Sequence, residues 1–154
     1  MSALLAIDLG LRSGLALFGD DGRLRWYRST HFGNRGRLRR AAHPLLRAIP
    51  ELRWLVAEGD RSLAAIWAHA ALPLQAELRL VPAEQWRARL LLPRQQRDGR
   101  LAKRSAGVLA RRVIRWSGAA APTSLRHDAA EAILIGLWGV LEVGWLPALP
   151  AELR

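Results

Sequence analysis

The chain has 154 residues, enough for one domain with a core of its own, and at 51% hydrophobic and 24% charged it has the composition of an ordinary globular protein. It holds no cysteine, which excludes disulfides and thiolate metal sites and fits a reducing compartment, read here as the cytoplasm. A formal net charge of +11 points to a polyanionic partner, nucleic acid first; no secretory leader and no apolar run of the ~18 residues that span a bilayer is read, so no membrane partner is expected.

Residues 3–8, ALLAID, read as a short buried strand that ends in an acid before a glycine turn. Residues 14–19, GLALFG, read as a second strand, DDG at 20–22 as a hairpin turn, and RLRWYRS as a half-exposed third strand. Residues 35–48 look helical, with Pro44 expected to kink or restart the helix. RWLVAEG at 53–59 is the next apolar strand, again tipped by an acid; because a helix precedes it, it can lie parallel to the first. The helix at 62–72 is apolar on most sides and needs a cover. A strand at 76–81 leads to a helix opened by Pro82. Residues 93–100 read as a polar loop, 101–115 as a helix and 117–124 as a linker. Ser124 is the expected N-cap of a last helix at about 125–141, and the tail beyond is expected to be loosely ordered. The order β-β-β-α-β-α-β-α-α-α implies one α/β domain over residues 1–154, core about 3–141: a mixed five-stranded sheet, three antiparallel strands then two parallel, flanked by helices.

Buried strands seldom end in acids unless these are paired or bind metal. If the first and fourth strands are parallel neighbours, Asp8 and Glu58 emerge at one edge of the sheet. Asp128 and Glu131 lie three apart and share one face of an otherwise apolar helix, whose first turn then reaches the same edge. Four converging carboxylates raise one another's pKa unless a cation compensates. Mg2+ is the natural compensation, with Mn2+ able to substitute, and two such ions can hold attacking water and leaving oxygen of a phosphodiester in line.

AIDLGLRSGLALFG, WLVAEG and HDAAEAILIGLWG together resemble the RuvC-like branch of the ribonuclease H-like superfamily, which includes Holliday-junction resolvases. The resemblance spans roughly residues 3–141. It implies a ribonuclease H-like fold in which Asp8, Glu58, Asp128 and Glu131 bind two metal ions. LVPAEQWRARLL followed by RDGRLAKRSA is similar to a family segment whose lysine matches Lys103, the only lysine in the chain. A lysine there offers a compact charge for the scissile phosphate. The departures are Leu9 in place of the family's proline and Glu131 where aspartate or histidine is commoner. His127, beside Asp128, is a candidate accessory ligand or acid.

Arg94, Arg97, Arg100 and Arg104, with Lys103 and with Arg12 near the first turn, form the expected nucleic-acid grip; Arg111, Arg112 and Arg115 continue it, and Arg35, Arg37, Arg39 and Arg40 make a second cluster. Core packing is the expectation for Trp67 and Trp86, with stacking on an unpaired base as the alternative. These readings converge on a metal-dependent, structure-specific endodeoxyribonuclease acting on branched DNA as a homodimer, and the resemblance implies pairing through the helix after the fourth strand. A YqgF-like ribonuclease acting on ribosomal RNA precursor and a non-catalytic nucleic-acid-binding module are the alternatives.

Overall fold

The computed structural model describes residues 1–154. Strands β1 (Ala3–Asp8), β2 (Arg12–Gly19), β3 (Leu24–His31), β4 (Leu52–Glu58) and β5 (Glu77–Leu80) form one sheet in the order β3-β2-β1-β4-β5. β1 and β3 run antiparallel to β2, while β4 is parallel to β1 and β5 to β4. The expected mixed sheet is therefore present. Tight turns join the first three strands. The Ser13 hydroxyl donates to the Gly10 carbonyl at 2.7 Å, and the Asp21 carboxylate accepts from the Arg23 amide at 3.0 Å. A helix separates β3 from β4, which gives the chain the length it needs to return parallel.

β1 is apolar from Ala3 to Ile7 because it is covered on both faces. Leu4 and Ala6 point into one core layer; Ala3, Leu5 and Ile7 point into the other. The second layer is closed by α1 (Arg35–Arg47) and α2 (Arg61–Ala71), which bury Leu38, Leu46, Ile66 and Trp67. Asn34 caps α1 by accepting from the Arg37 amide at 2.9 Å, and Asp60 caps α2 by accepting from the amides of Ser62 and Leu63. The first layer is closed by α3 (Ala83–Leu90), α4 (Gly99–Ser117) and α5 (His127–Glu142).

α5 lies directly on the sheet, with every residue from Ala129 to Leu141 buried. Two glycines make the approach possible. A Cβ at Gly14 would stand 1.8 Å from the Asp128 carbonyl oxygen, and one at Gly136 would stand 2.2 Å from the Phe18 ring. The first of these matters most here, because it lays the opening turn of α5 over the strand that pairs with Asp8.

Three local expectations are corrected, and the cover that α2 needs is located. Pro44 does not restart α1: the helix runs unbroken from Arg35 to Arg47, with Pro44 exposed in its last turns, where the carbonyl it leaves unbonded can turn to water. α5 is not capped by Ser124. It starts after Arg126, and the Asp128 carboxylate accepts from the Ala129 amide at 2.7 Å while half-buried Leu125 packs on the core. α2 finds its cover within the chain, against α1 and the sheet, and leaves Arg61, Ser62, Ala65 and His69 on an open face. The tail is not loose: residues 151–153 form a 3-10 turn, Leu149 and Leu153 pack on the α4 layer, and the Arg154 side chain donates to the Leu149 carbonyl at 3.1 Å. Apolar spacing in the tail supplies the reason, since two leucines four residues apart suit one turn against a core.

Candidate active site

Asp8 and Glu58 are direct partners in the parallel β1–β4 register, so both side chains leave the same edge of the sheet. The fold brings other groups to that edge. The α2 N-terminus follows Glu58 after one turn, and Val81, which donates its amide to the Ala57 carbonyl at 2.8 Å, delivers the α3 N-terminus. The Phe32 amide donates to the Leu11 carbonyl at 2.7 Å and brings the start of α1. α5 arrives through its close approach at Gly14. Four helix N-termini therefore face the rim on which the acids stand, and each favours bound anions such as phosphates.

The four acids expected from the sequence form one electrostatic unit. Burial first, then the charges of Glu131, Glu58 and Asp128, push the Asp8 carboxyl up to about 8, and hydrogen bonding toward Glu58 adds to the rise. Glu58 is also raised, by burial first and then by Glu131, while Arg87 and the hydrogen bond from Asp8 pull it down. Glu84, in the first turn of α3, adds to the upward push and is a fifth acid, one that no strand tip or acidic pair marks in the sequence. Glu58, Glu84 and Arg61 line one cleft of ≈470 Å³ between the starts of α2 and α3.

Electrostatic coupling does not make these acids a ligand set as they stand. No three His, Asp or Glu residues converge closely enough to hold a metal ion. Two of the four acids have other partners. The Asp128 carboxylate accepts from the Ser29 hydroxyl at 2.8 Å as well as from the Ala129 amide. Glu131, buried, accepts from Arg87 at 3.2 Å and meets His127 Nε2 at 2.9 Å. The donor set still fits a hard divalent cation: it is all carboxylate oxygen, and crowded enough to keep a proton on Asp8 near neutral pH. Asp8, Glu58, Asp128 and Glu131 are the carboxylates that the resemblance makes metal ligands, and they do not form a closed ligand set in this arrangement.

The positive group set among the acids is Arg87, which in the sequence is one more arginine on α3. Its signal is its place one turn after Glu84 in a helix that begins at the acidic rim. Lys103 stands exposed in the first turns of α4, without ion pair or hydrogen bond. Arg94 lies within a 3-10 turn at residues 93–96, where a loop is expected from the sequence, Arg97 ends that turn, and Arg100 and Arg104 follow on α4, whose N-cap is Asp98. All four are exposed and free of ion pairs. Gln96 ties this run to α3 by donating to the carbonyls of Leu91 at 3.0 Å and Arg87 at 3.4 Å, so the arginines lead away from the Arg87 backbone. Arg12 is exposed at the start of β2, opposite His31. Trp67 and Trp86 are wholly buried and unavailable for stacking.

The sheet order and the two helical layers make a mixed α/β fold that is shared with solved structures. Two solved structures of Thermus thermophilus RuvC share it. One is described as the RuvC structure, at a TM-score of 0.66 and 15% identity over 92% of this chain and 96% of that chain. The other is RuvC in complex with a Holliday junction substrate, at a TM-score of 0.65 and 15% identity over 94% of this chain and 96% of that chain. No protein-family model and no curated protein matches the sequence. The likeness is thus one of fold, carried over nearly the full length of both chains.

Proposed function

We propose that the protein is a divalent-metal-dependent, structure-specific DNA endonuclease that hydrolyses phosphodiester bonds in branched DNA such as Holliday junctions. The observation that carries this reading is the Asp8–Glu58 register pair under the first turn of α5, four coupled carboxylates on a chain of net charge +11. An acidic centre in a basic protein suits a polyanion that must be gripped by arginines and brought to carboxylates through cations.

Asp8, Glu58, Asp128 and, when released, Glu131 would hold Mg2+ or Mn2+, two ions per site. Bound there, the ions supply a nucleophilic water and neutralise charge developing on the phosphate. Asp8 gives up its proton as they bind. Arg94, Arg97, Arg100, Arg104 and Arg12 hold backbone phosphates, and Lys103 and the helix N-termini add positive potential along the path. A twofold pair of chains would set two such sites on one four-way junction, which matches the need for paired cuts. A cysteine-free chain in which no helix is long and apolar enough to cross a membrane suits work on DNA in the cytoplasm.

The test is incision of four-way junctions, linear duplex and structured RNA, with and without Mg2+ or Mn2+, alongside light scattering for the mass of the assembly. Junction cleavage is expected only with metal, and D8N is expected to lose at least 100-fold in rate; an unimpaired D8N removes the assigned site. Cleavage of RNA alone makes the protein a ribonuclease of related fold, and binding without cleavage makes it a binding module.

A further inference from the structure

Away from the acids, the end of α3, the 3-10 turn at residues 93–96, the middle of α4 and residues 149–154 enclose a groove of ≈390 Å³. Its floor is apolar and buried, made by Leu91, Leu109 and Leu153. Its edges carry Leu92 and Val108, 50% and 53% exposed, two of the five large apolar side chains that the molecule leaves in solvent. Single exposed apolar residues are ordinary, but a pair at the mouth of one concave site marks a binding surface. Local bonds hold the groove in shape. The Leu92 amide donates to Gln95 Oε1 at 2.7 Å, and Gln96 donates to the Leu91 carbonyl at 3.0 Å. Arg154 turns its side chain back to donate to the Leu149 carbonyl at 3.1 Å. The charge around the groove has one sign: Arg89, Arg112 and Arg154 line it, and no acidic side chain does. Arg112 makes no ion pair, even with Glu152 in the adjoining cleft. Arg89 gives one nitrogen to Glu142 at 3.0 Å and keeps its other donors. We propose that this groove docks a short acidic segment of a partner protein, with apolar side chains seated against Leu92 and Val108 and carboxylates on Arg112 and Arg89.

Other occupants match the groove less well. A nucleic-acid strand is held by an unbroken basic track, and the line Arg104, Val108, Arg112, spaced i, i+4 and i+8 on α4, is interrupted at its centre by valine. A phosphate gains nothing from Val108 or Leu92. A second copy of this chain carries the same net charge of +11 and would set arginine against arginine. Pairing through α2 also leaves the groove open, because α2 covers the opposite side of the sheet. An acidic segment with apolar residues answers both features: opposite charge steers it in, and burial of apolar surface against a preformed floor holds it. The groove adjoins the exposed run from Arg94 to Arg104, so the partner would sit beside the proposed path of the DNA. Docking of this kind is independent of the nuclease chemistry.

Random peptides of about ten residues, displayed on phage, are selected on the full chain, and the enriched peptide is labelled and measured by fluorescence anisotropy. Enrichment of sequences that combine carboxylates with leucine or phenylalanine is expected, with saturable micromolar binding. V108E and R112E, both at exposed positions, are each expected to weaken that peptide about tenfold or more, as loss of a central contact does. R53E makes the same charge change as R112E at an exposed position on β4 and is expected to weaken it less than about twofold. Serine in place of the peptide's apolar residues is expected to weaken it about tenfold or more. No enriched peptide, enrichment of peptides without acids, or binding undiminished in V108E overturns the proposal. A serine-substituted peptide that binds as tightly as its parent also overturns it, leaving charge attraction alone. Light scattering in which V108E dissociates a wild-type dimer overturns it as well and makes the groove an interface between copies.

Discussion

Asp8 carries a proton near neutral pH because burial, and then the neighbouring carboxylates, disfavour its charged form. Its carboxyl is raised from 3.8 to about 8, by burial first and then by Glu131, Glu58 and Asp128. The folded metal-free protein therefore binds a proton that the unfolded chain has already released. That contribution to stability is complete below about pH 4, the ordinary carboxyl range, and is lost as the pH climbs through about 8. Glu58, also raised, acts with the same sign. Metal-free D8N is expected to melt about 5 °C above wild type at about pH 8.5, with the gap closing near pH 4, as thermal melts across the range would show. Mg2+ should raise the wild-type melting temperature at the alkaline end and leave that of D8N nearly unmoved. Calorimetric titration of Mg2+ in buffers of different ionisation heat should report proton release near neutral pH, since the ion must displace the proton on Asp8.

At the scale of elements, the site depends on how closely α5 can approach the sheet. Gly14 and Gly136 are the points of closest approach, and neither leaves space for a methyl group. The obstacle at Gly14 is backbone, the Asp128 carbonyl, which cannot rotate away, so G14A is expected to cost more than about 3 kcal/mol or to prevent folding. Gly107 gives the contrasting case. It lies inside α4 with nothing within 4 Å of the place a Cβ would take. G107A is expected to stabilise by about 0.5–1 kcal/mol, through helix propensity alone. Urea unfolding of the two variants beside wild type checks both signs in one experiment.

For the whole molecule, the distribution of charge is the feature to test. The exposed arginines of the 93–104 segment form no ion pairs, whereas Arg87 and Arg89 on α3 are tied to Glu131 and Glu142. Free guanidinium groups on an exposed run can meet phosphates without first breaking an internal bond. Replacing Arg94, Arg97, Arg100 and Arg104 together by glutamine is expected to flatten the dependence of log K on log salt by ~0.9 for each phosphate no longer neutralised, to a maximum of about 3.6. Fluorescence anisotropy with a labelled junction over a range of salt measures that slope; a slope equal to wild type would move the grip elsewhere, the Arg35–Arg40 cluster on α1 being the next surface to test.

The amino-acid sequence by itself determined the element order, the two-sided burial of β1, and the placing of Asp8 and Glu58 at strand tips, because apolar runs, glycine turns and helix-forming stretches are local signals read residue by residue. It also carried Gly14, visible as a glycine in the second apolar run, without saying what that glycine admits. Only the tertiary structure decided that Asp8 and Glu58 share a register position, that α2 is covered by α1, that the tail is packed, and that Arg87 rather than Lys103 stands among the acids. Those are matters of which elements become neighbours across dozens of residues, set by the packing of whole faces against one another. An arginine on a short helix looks like any other until the fold lays a buried glutamate 3.2 Å away.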